Sequence, residues 1–251
     1  MNSCDRKGEQ LYNNFGSLME IINYRSYTDI DVYFPEYDWT YYHGAYNAFV
    51  KGKMKCPYEP RMCGVGYLGE GIYKTSYNSI KSKAYLDWNH MLNRCYIFSK
   101  TLRLTYEDCF VCDDWLNYQN FAKWHDENYY EILGETMCLD KDILIKNNKI
   151  YSPDTCVFVP QKINTLFVKS NKIRGKFPIG VHIDRHGKYI AECKCNGEKQ
   201  YIGYYTTIEE AFNAYKKFKE KYIKEVADEY KDLIPIKLYE AMYNYEVEIT
   251  D

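Results

Sequence analysis

Several things are scarce in this chain of 251 residues, and each scarcity excludes something. No apolar run approaches the roughly 20 residues that a bilayer-spanning helix needs, so no membrane partner is expected. The first residues lack the apolar stretch of an export signal, and a cytoplasmic setting is the expectation. Charge of one sign is missing: 33 Lys and Arg face 35 Asp and Glu, a net −2. That balance excludes a globally basic nucleic-acid binder. The ten cysteines lack the density of a small secreted scaffold and are read as reduced thiols. Cys109-x-x-Cys112 lacks the second close pair that a zinc site needs, so zinc is not expected and buried thiols are. Gly64, Gly66, Gly69 and Gly71 have no buried strand before them and no helix after, which excludes a dinucleotide fingerprint and reads as a flexible linker.

What is present points to an α+β protein. The apolar fraction of 46% is enough for a sizeable core. Tyrosine is extreme at 29 residues, most of them expected in core and rim, with a minority able to stack on bases. Length favours more than one domain. We expect a small N-terminal β module over 1–72, a helical and ββα region over 73–168, and a three-stranded sheet with a helix and an acidic tail over 169–251.

The segment Phe177 to Ala227 is the most informative. Val181 and Ile183 alternate with His182 and Asp184 as in a half-buried strand. Asp184-Arg185-His186-Gly187 supplies a turn. In the second strand, Tyr189, Ala191, Cys193 and Cys195 share one face, and Ile190, Glu192 and Lys194 the other. Asn196-Gly197 is a two-residue hairpin signal. Lys199 to Tyr204 returns as the third strand, with Gly203 expected to mark close approach to the helix. Thr207 and Glu210 have capping-box spacing. Ala211, Ala214, Tyr215, Phe218 and Tyr222 recur at helical spacing and cover one sheet face, leaving the other free.

Gly180-Val181, Gly187-Lys188-Tyr189-Ile190-Ala191-Glu192, Tyr201-Ile202-Gly203, Glu209-Glu210-Ala211 and Ala214-Tyr215 resemble the DNA-binding domain of plant ethylene-response factors, the Apetala-two fold, which also occurs in phage and mobile-element nucleases. In that family the sheet lies in the major groove. The resemblance implies DNA-facing roles for His182, Asp184, His186, Glu192, Lys194, Lys199 and Tyr201, with Arg185 beside them in the turn. The family favours Arg and Trp at these sites, so fewer bidentate guanine contacts are available here and altered or weaker specificity is implied.

Charge is distributed unevenly. Residues 169–224 hold 13 Lys and Arg against 6 Asp and Glu, a balance of +7, and residues 225–251 hold 2 against 8, a balance of −6. A basic module between acidic segments fits local contact with DNA. Lys216, Lys217, Lys219 and Lys221 are read as the solvated face of the helix.

In the centre, Trp88, Met91, Leu92 and Cys95 have helical spacing, and Trp115, Tyr118, Phe121, Ala122 and Trp124 suggest a second, aromatic helix. A β-hairpin is then expected, with arms at Leu139–Leu144 and Tyr151–Pro160 and a turn at Asn147-Asn148, followed by a short helix. This order resembles the HNH nuclease fold, and the wider spacing of Trp, Cys and Asp resembles phage proteins labelled HNH endonucleases. The resemblance places Asp140 at the metal-binding Asp, for Mg²⁺ or another divalent metal, and Asn164 at a residue common in the following helix. Lys141 stands where the general-base His belongs, Ser152 near the orienting Asn, and Thr155 at the second metal ligand. A protonated Lys cannot accept a proton near neutral pH. All five His (His43, His90, His125, His182, His186) lie outside the hairpin. A catalytically degenerate hairpin is therefore expected, unless a His from elsewhere, such as His125, folds in as the base.

Nearer the amino end, Leu18–Ile22 and Ile30–Phe34 look like two strands joined by a polar loop, and Trp39–His43 precedes a short helix or strand ending near Gly52. The resulting expectation is binding of double-stranded DNA by a protein derived from an HNH endonuclease. Two alternatives stand beside it: an active, metal-dependent homing-type endonuclease, and a phage anti-defence (anti-CRISPR-like) protein that binds a host immune protein.

Overall fold

The structure, a computed structural model, describes residues 5–98, 108–168 and 176–251. It is α+β, with short sheets and helices in two compact units. One unit comprises Met1–Glu127 with Ile150–Ser152, and the other Asn128–Lys149 with Pro153–Asp251. The division falls elsewhere than the expected borders at 72 and 168: the ββα hairpin goes with the C-terminal sheet, and the preceding helices go with the N-terminal strands.

The first unit opens with an antiparallel meander of β1 (Gln10–Tyr12), β2 (Leu18–Ser26), β3 (Asp29–Phe34) and β4 (Trp39–Gly44). Alternation explains it: Met19, Ile21, Ile30, Val32 and Phe34 all turn to one side. The expected polar loop between β2 and β3 is only Tyr27-Thr28. Helix α1 (Tyr46–Val50) closes that core with Tyr46 and Phe49. Each such buried side chain stabilises by about 1.5–3 kcal/mol.

A small hairpin of β5 (Ser76–Tyr77) and β6 (Ile80–Lys81) leads to α2 (Lys83–Asn93), capped by Ser82, whose Oγ accepts from the Tyr85 amide at 3.2 Å. After β7 (Phe110–Val111), α3 (Asp113–Leu116) and α4 (Tyr118–Asn128) bring Trp115, Tyr118 and Phe121 together. Trp88 packs on Tyr118 and donates its indole N–H to the Trp115 carbonyl at 2.7 Å. The glycine-rich segment is not a flexible linker. A Cβ at Gly66 would run into Leu92 and Trp88, at Gly69 into Asn117 and at Gly71 into Gln119. Tyr67 is tied on both sides, its amide to the Leu116 carbonyl and its carbonyl to the Tyr118 amide, each at 2.9 Å. These glycines are small because the chain runs against the helices.

In the second unit, β8 (Met137–Asp140) pairs antiparallel with β10 (Val157–Pro160), and α5 (Gln161–Leu166) follows directly. The ββα order is as expected, but the arms are shorter. The first ends at Asp140, and the intervening β9 (Ile150–Tyr151) pairs with β7 in the other unit's fold. Strands β11 (Val181–Ile183), β12 (Tyr189–Cys195) and β13 (Glu198–Tyr205) form the second sheet. Helix α6 (Ile208–Tyr230) crosses both parts, and α7 (Ile236–Tyr243) packs on it. Its first half buries Ala211, Phe212 and Tyr215 on Val181, Ala191 and Cys193. Its second half buries Ile223, Val226, Ala227 and Tyr230 with Ile143, Val157, Val159 and Ile163 of the hairpin. Among the described residues no helix is long and apolar enough to cross a membrane.

Candidate nucleic-acid interface

The C-terminal sheet has a sealed face and an open one. Ala191 and Cys193 are buried toward α6, so Ile190, Glu192 and Lys194 point away from it. Cross-strand register extends the open face: His182 and Tyr204 flank Ile190, Tyr201 lies opposite Glu192, and Lys199 opposite Lys194. The Lys199 side chain is 79% exposed, and Tyr201 and Tyr204 are each 56% exposed. The Asn196-Gly197 turn has both residues at positive φ, as a two-residue hairpin requires. Thr207 and Glu210 form the expected capping box.

Tyr204 was not legible as an outward residue. Strict alternation would put Tyr201 and Tyr204 on opposite faces. A β-bulge between Ala191 and Glu192 shifts the register by one, so both rings face outward with centroids 5.4 Å apart. Gly203 does not mark approach to the helix: a Cβ there would meet the Tyr205 ring.

The turn residues divide their roles. The Asp184 carboxylate accepts the amides of His186 at 2.8 Å and Lys188 at 2.9 Å, which builds the turn and holds its pKa below the usual value. Arg185 lies against His186, Nε to Nε2 at 3.0 Å. Glu192 sits between His182 (3.8 Å) and Lys199 (3.5 Å), so one carboxylate tempers the charge of the face.

On α6, Lys217 and Lys221 are exposed as expected, and Lys216 reaches the Val247 carbonyl at 2.8 Å. Lys219 departs from the expected solvated face. It is buried beside Cys193 and Cys195, and burial pulls its pKa down. Helical spacing hid this, because Lys219 is one turn from Tyr215 and Ile223, both on the covered stripe. The acidic tail is held on this helix, not on the open sheet face: Val247 is in the core beneath the sheet, and its amide donates to Glu220 at 2.8 Å.

At the hairpin, Asp140 Oδ1 accepts the amides of Asp142 (2.9 Å) and Ile143 (2.8 Å). Burial, with Asp142 nearby, pushes its carboxyl up to about 6. Lys141 is buried, its Nζ donating to Asp142 and to the Asn148 carbonyl. Asn164 lies on α5, and among the described residues no hydrogen bond joins it to Asp140. Thr155 follows in the same unit, whereas Ser152 belongs to the other. His125 is buried in the first unit and faces Asp87, with Nε2 at 3.2 Å from the carboxylate.

Among the described residues one group of three potential metal ligands assembles: Asp29, Asp31 and His43. Arg25 already occupies it, 2.8 Å from Asp29 and 2.5 Å from Asp31, and keeps the Asp29 carboxyl down at about 2. A cation would have to displace the guanidinium.

Comparison with known proteins finds no matching family model, curated protein or solved structure. The functional reading therefore rests on the chain's own residues.

Proposed function

We propose that this protein binds double-stranded DNA through the open face of β11, β12 and β13, and does not cleave it by HNH chemistry. One observation carries the reading: a sheet whose inner face is sealed by α6 presents Lys194, Lys199, Tyr201 and Tyr204 together on its outer face. Strands about 4.8 Å apart make the β12–β13 ribbon narrow enough for a major groove about 12 Å wide. The lysines suit phosphates, and the tyrosines and His182 suit sugar and base edges. The lack of a groove-facing Arg on the strands favours modest sequence discrimination.

The absence of cleavage is inferred from Lys141. Where the HNH resemblance would put the general base, Lys141 is a buried donor already engaged by its own loop, and Asp140 spends one oxygen on that loop too.

The test is a mobility-shift assay on random-sequence duplexes over a salt series, alongside plasmid incubated with Mg²⁺ or Mn²⁺. Retardation that weakens with salt, with plasmid left intact, is expected. No retardation removes the DNA reading, and nicking that is lost in Asp140→Ala removes the degenerate one.

A further inference from the structure

In the first unit, Asp38, Trp39, Thr40, Tyr41, Tyr42 and Glu70 enclose an open cleft of about 490 Å³. Trp39 and Tyr41 meet at nearly a right angle, 82°, with centroids 6.0 Å apart, so two aromatic surfaces form a corner. Tyr42 adds a third ring, 65% exposed.

The carboxylates are aimed by neutral donors. The Trp39 indole donates to Glu70 at 2.9 Å, Tyr58 to its other oxygen at 3.3 Å, and Tyr33 to Asp38 at 2.8 Å. These bonds fix geometry without cancelling charge. Among the described residues neither acid has a cationic partner.

We propose that this cleft binds the Lys or Arg side chain of a protein partner. Ring faces and carboxylates both attract a cation, and the same set repels phosphate. The volume lies within the range of small-ligand sites. The cleft runs along β4, the edge of its sheet, where Trp39 to Tyr41 have unpaired backbone groups for the flanking peptide. A bulge at Tyr42 and His43, the latter with φ of 55°, ends that edge and confines the contact to the cleft. This site is separate from the DNA reading and does not depend on it.

The test uses the full chain and intrinsic fluorescence, because Trp39 is part-exposed while Trp88, Trp115 and Trp124 are 0%, 1% and 9% exposed. The probes are a capped Gly/Ser peptide with one central Arg, the same peptide with citrulline, and spermidine. A saturable change with the Arg peptide is expected, at least about tenfold weaker with citrulline, which keeps shape but not charge. Glu70→Gln should weaken the Arg peptide several-fold while its oxygen still accepts from the Trp39 indole; Asp38→Asn is the second variant if Glu70→Gln does not fold. Equal binding of Arg and citrulline peptides, no saturable change, or no effect of either folded variant overturns the proposal. Saturation by spermidine alone overturns it in favour of a free polyamine.

Discussion

Lys141 and Asn148 hold each other across the hairpin loop: Asn148 Nδ2 donates to the Lys141 carbonyl at 2.7 Å, and Lys141 Nζ donates to the Asn148 carbonyl at 3.1 Å. This makes Lys141 a brace of its own loop. Lys141→Ala is expected to cost about 1–2 kcal/mol in denaturant unfolding, with DNA affinity unchanged. Lys141→His should fail to produce metal-dependent nicking of plasmid. Nicking by that variant would show that the brace alone separates this hairpin from a working one.

The Asp140 carboxyl, pushed up to about 6, has a consequence for pH. The native state keeps this proton where an unfolded Asp, with pKa about 3.9, has lost it. Its contribution to stability is therefore full below about pH 4 and falls as pH rises to about 6. Asp140→Asn retains an oxygen for the two amides and removes that slope. Partial exposure keeps the gain at pH 7 to about 1–2 kcal/mol, readable in urea titrations at pH 4, 5, 6 and 7.

For DNA binding, Lys194→Ala and Lys199→Ala should each weaken a random duplex and lower the salt slope by about 1, the signature of one lost phosphate contact. Lys217→Ala, on the exposed side of α6, should leave both quantities unchanged. Tyr204→Ala should weaken binding with the salt slope intact. Equal behaviour of all four variants would separate binding from the sheet face.

Lys219 is a cation buried among thiols. Lys219→Met keeps the length and removes the charge, and should stabilise by about 1 kcal/mol at pH 7. Because burial lowers the Lys219 pKa, the native state gives up this proton before the unfolded chain does. Wild-type stability should thus improve as pH rises toward the unfolded value of about 10.4, a trend that Lys219→Met loses. Thermal unfolding at pH 7 and pH 9 checks both.

Gly180 has φ of 73°, and a Cβ there would overlap the Tyr215 ring. Gly180→Ala should cost roughly 3 kcal/mol or more, from backbone strain and overpacking together. Tm by circular dichroism measures it, and a near-neutral result would mean that the Tyr215 ring moves freely.

The legibility of this fold followed the range of the interactions. Asn196-Gly197, the Thr207–Glu210 cap and the alternation of Val181, Ala191 and Cys193 act within a few residues, and all appear as read. What failed depended on contacts distant in sequence. The glycines at 66, 69 and 71 looked loose because the helices they press on lie 22 to 48 residues away. Lys219 looked solvated because nothing local says that two cysteines lie above it. Tyr204 was hidden by a single bulge, which no composition rule announces. At the sheet face, alternation placed Glu192 and Lys194 outward and the family resemblance pointed to Lys199 and Tyr201, while the turn-building work of Asp184 needed the amides of His186 and Lys188 in place.

Helix α6, at 23 residues and about 35 Å, is a single rigid rod with the sheet gripping one end and the hairpin the other. Anything that tilts the sheet must swing the far end of that rod against Val157, Val159 and Ile163. Strain applied at one end would thus arrive at the other as a mechanical load, which would turn two small folds into a lever with a common arm.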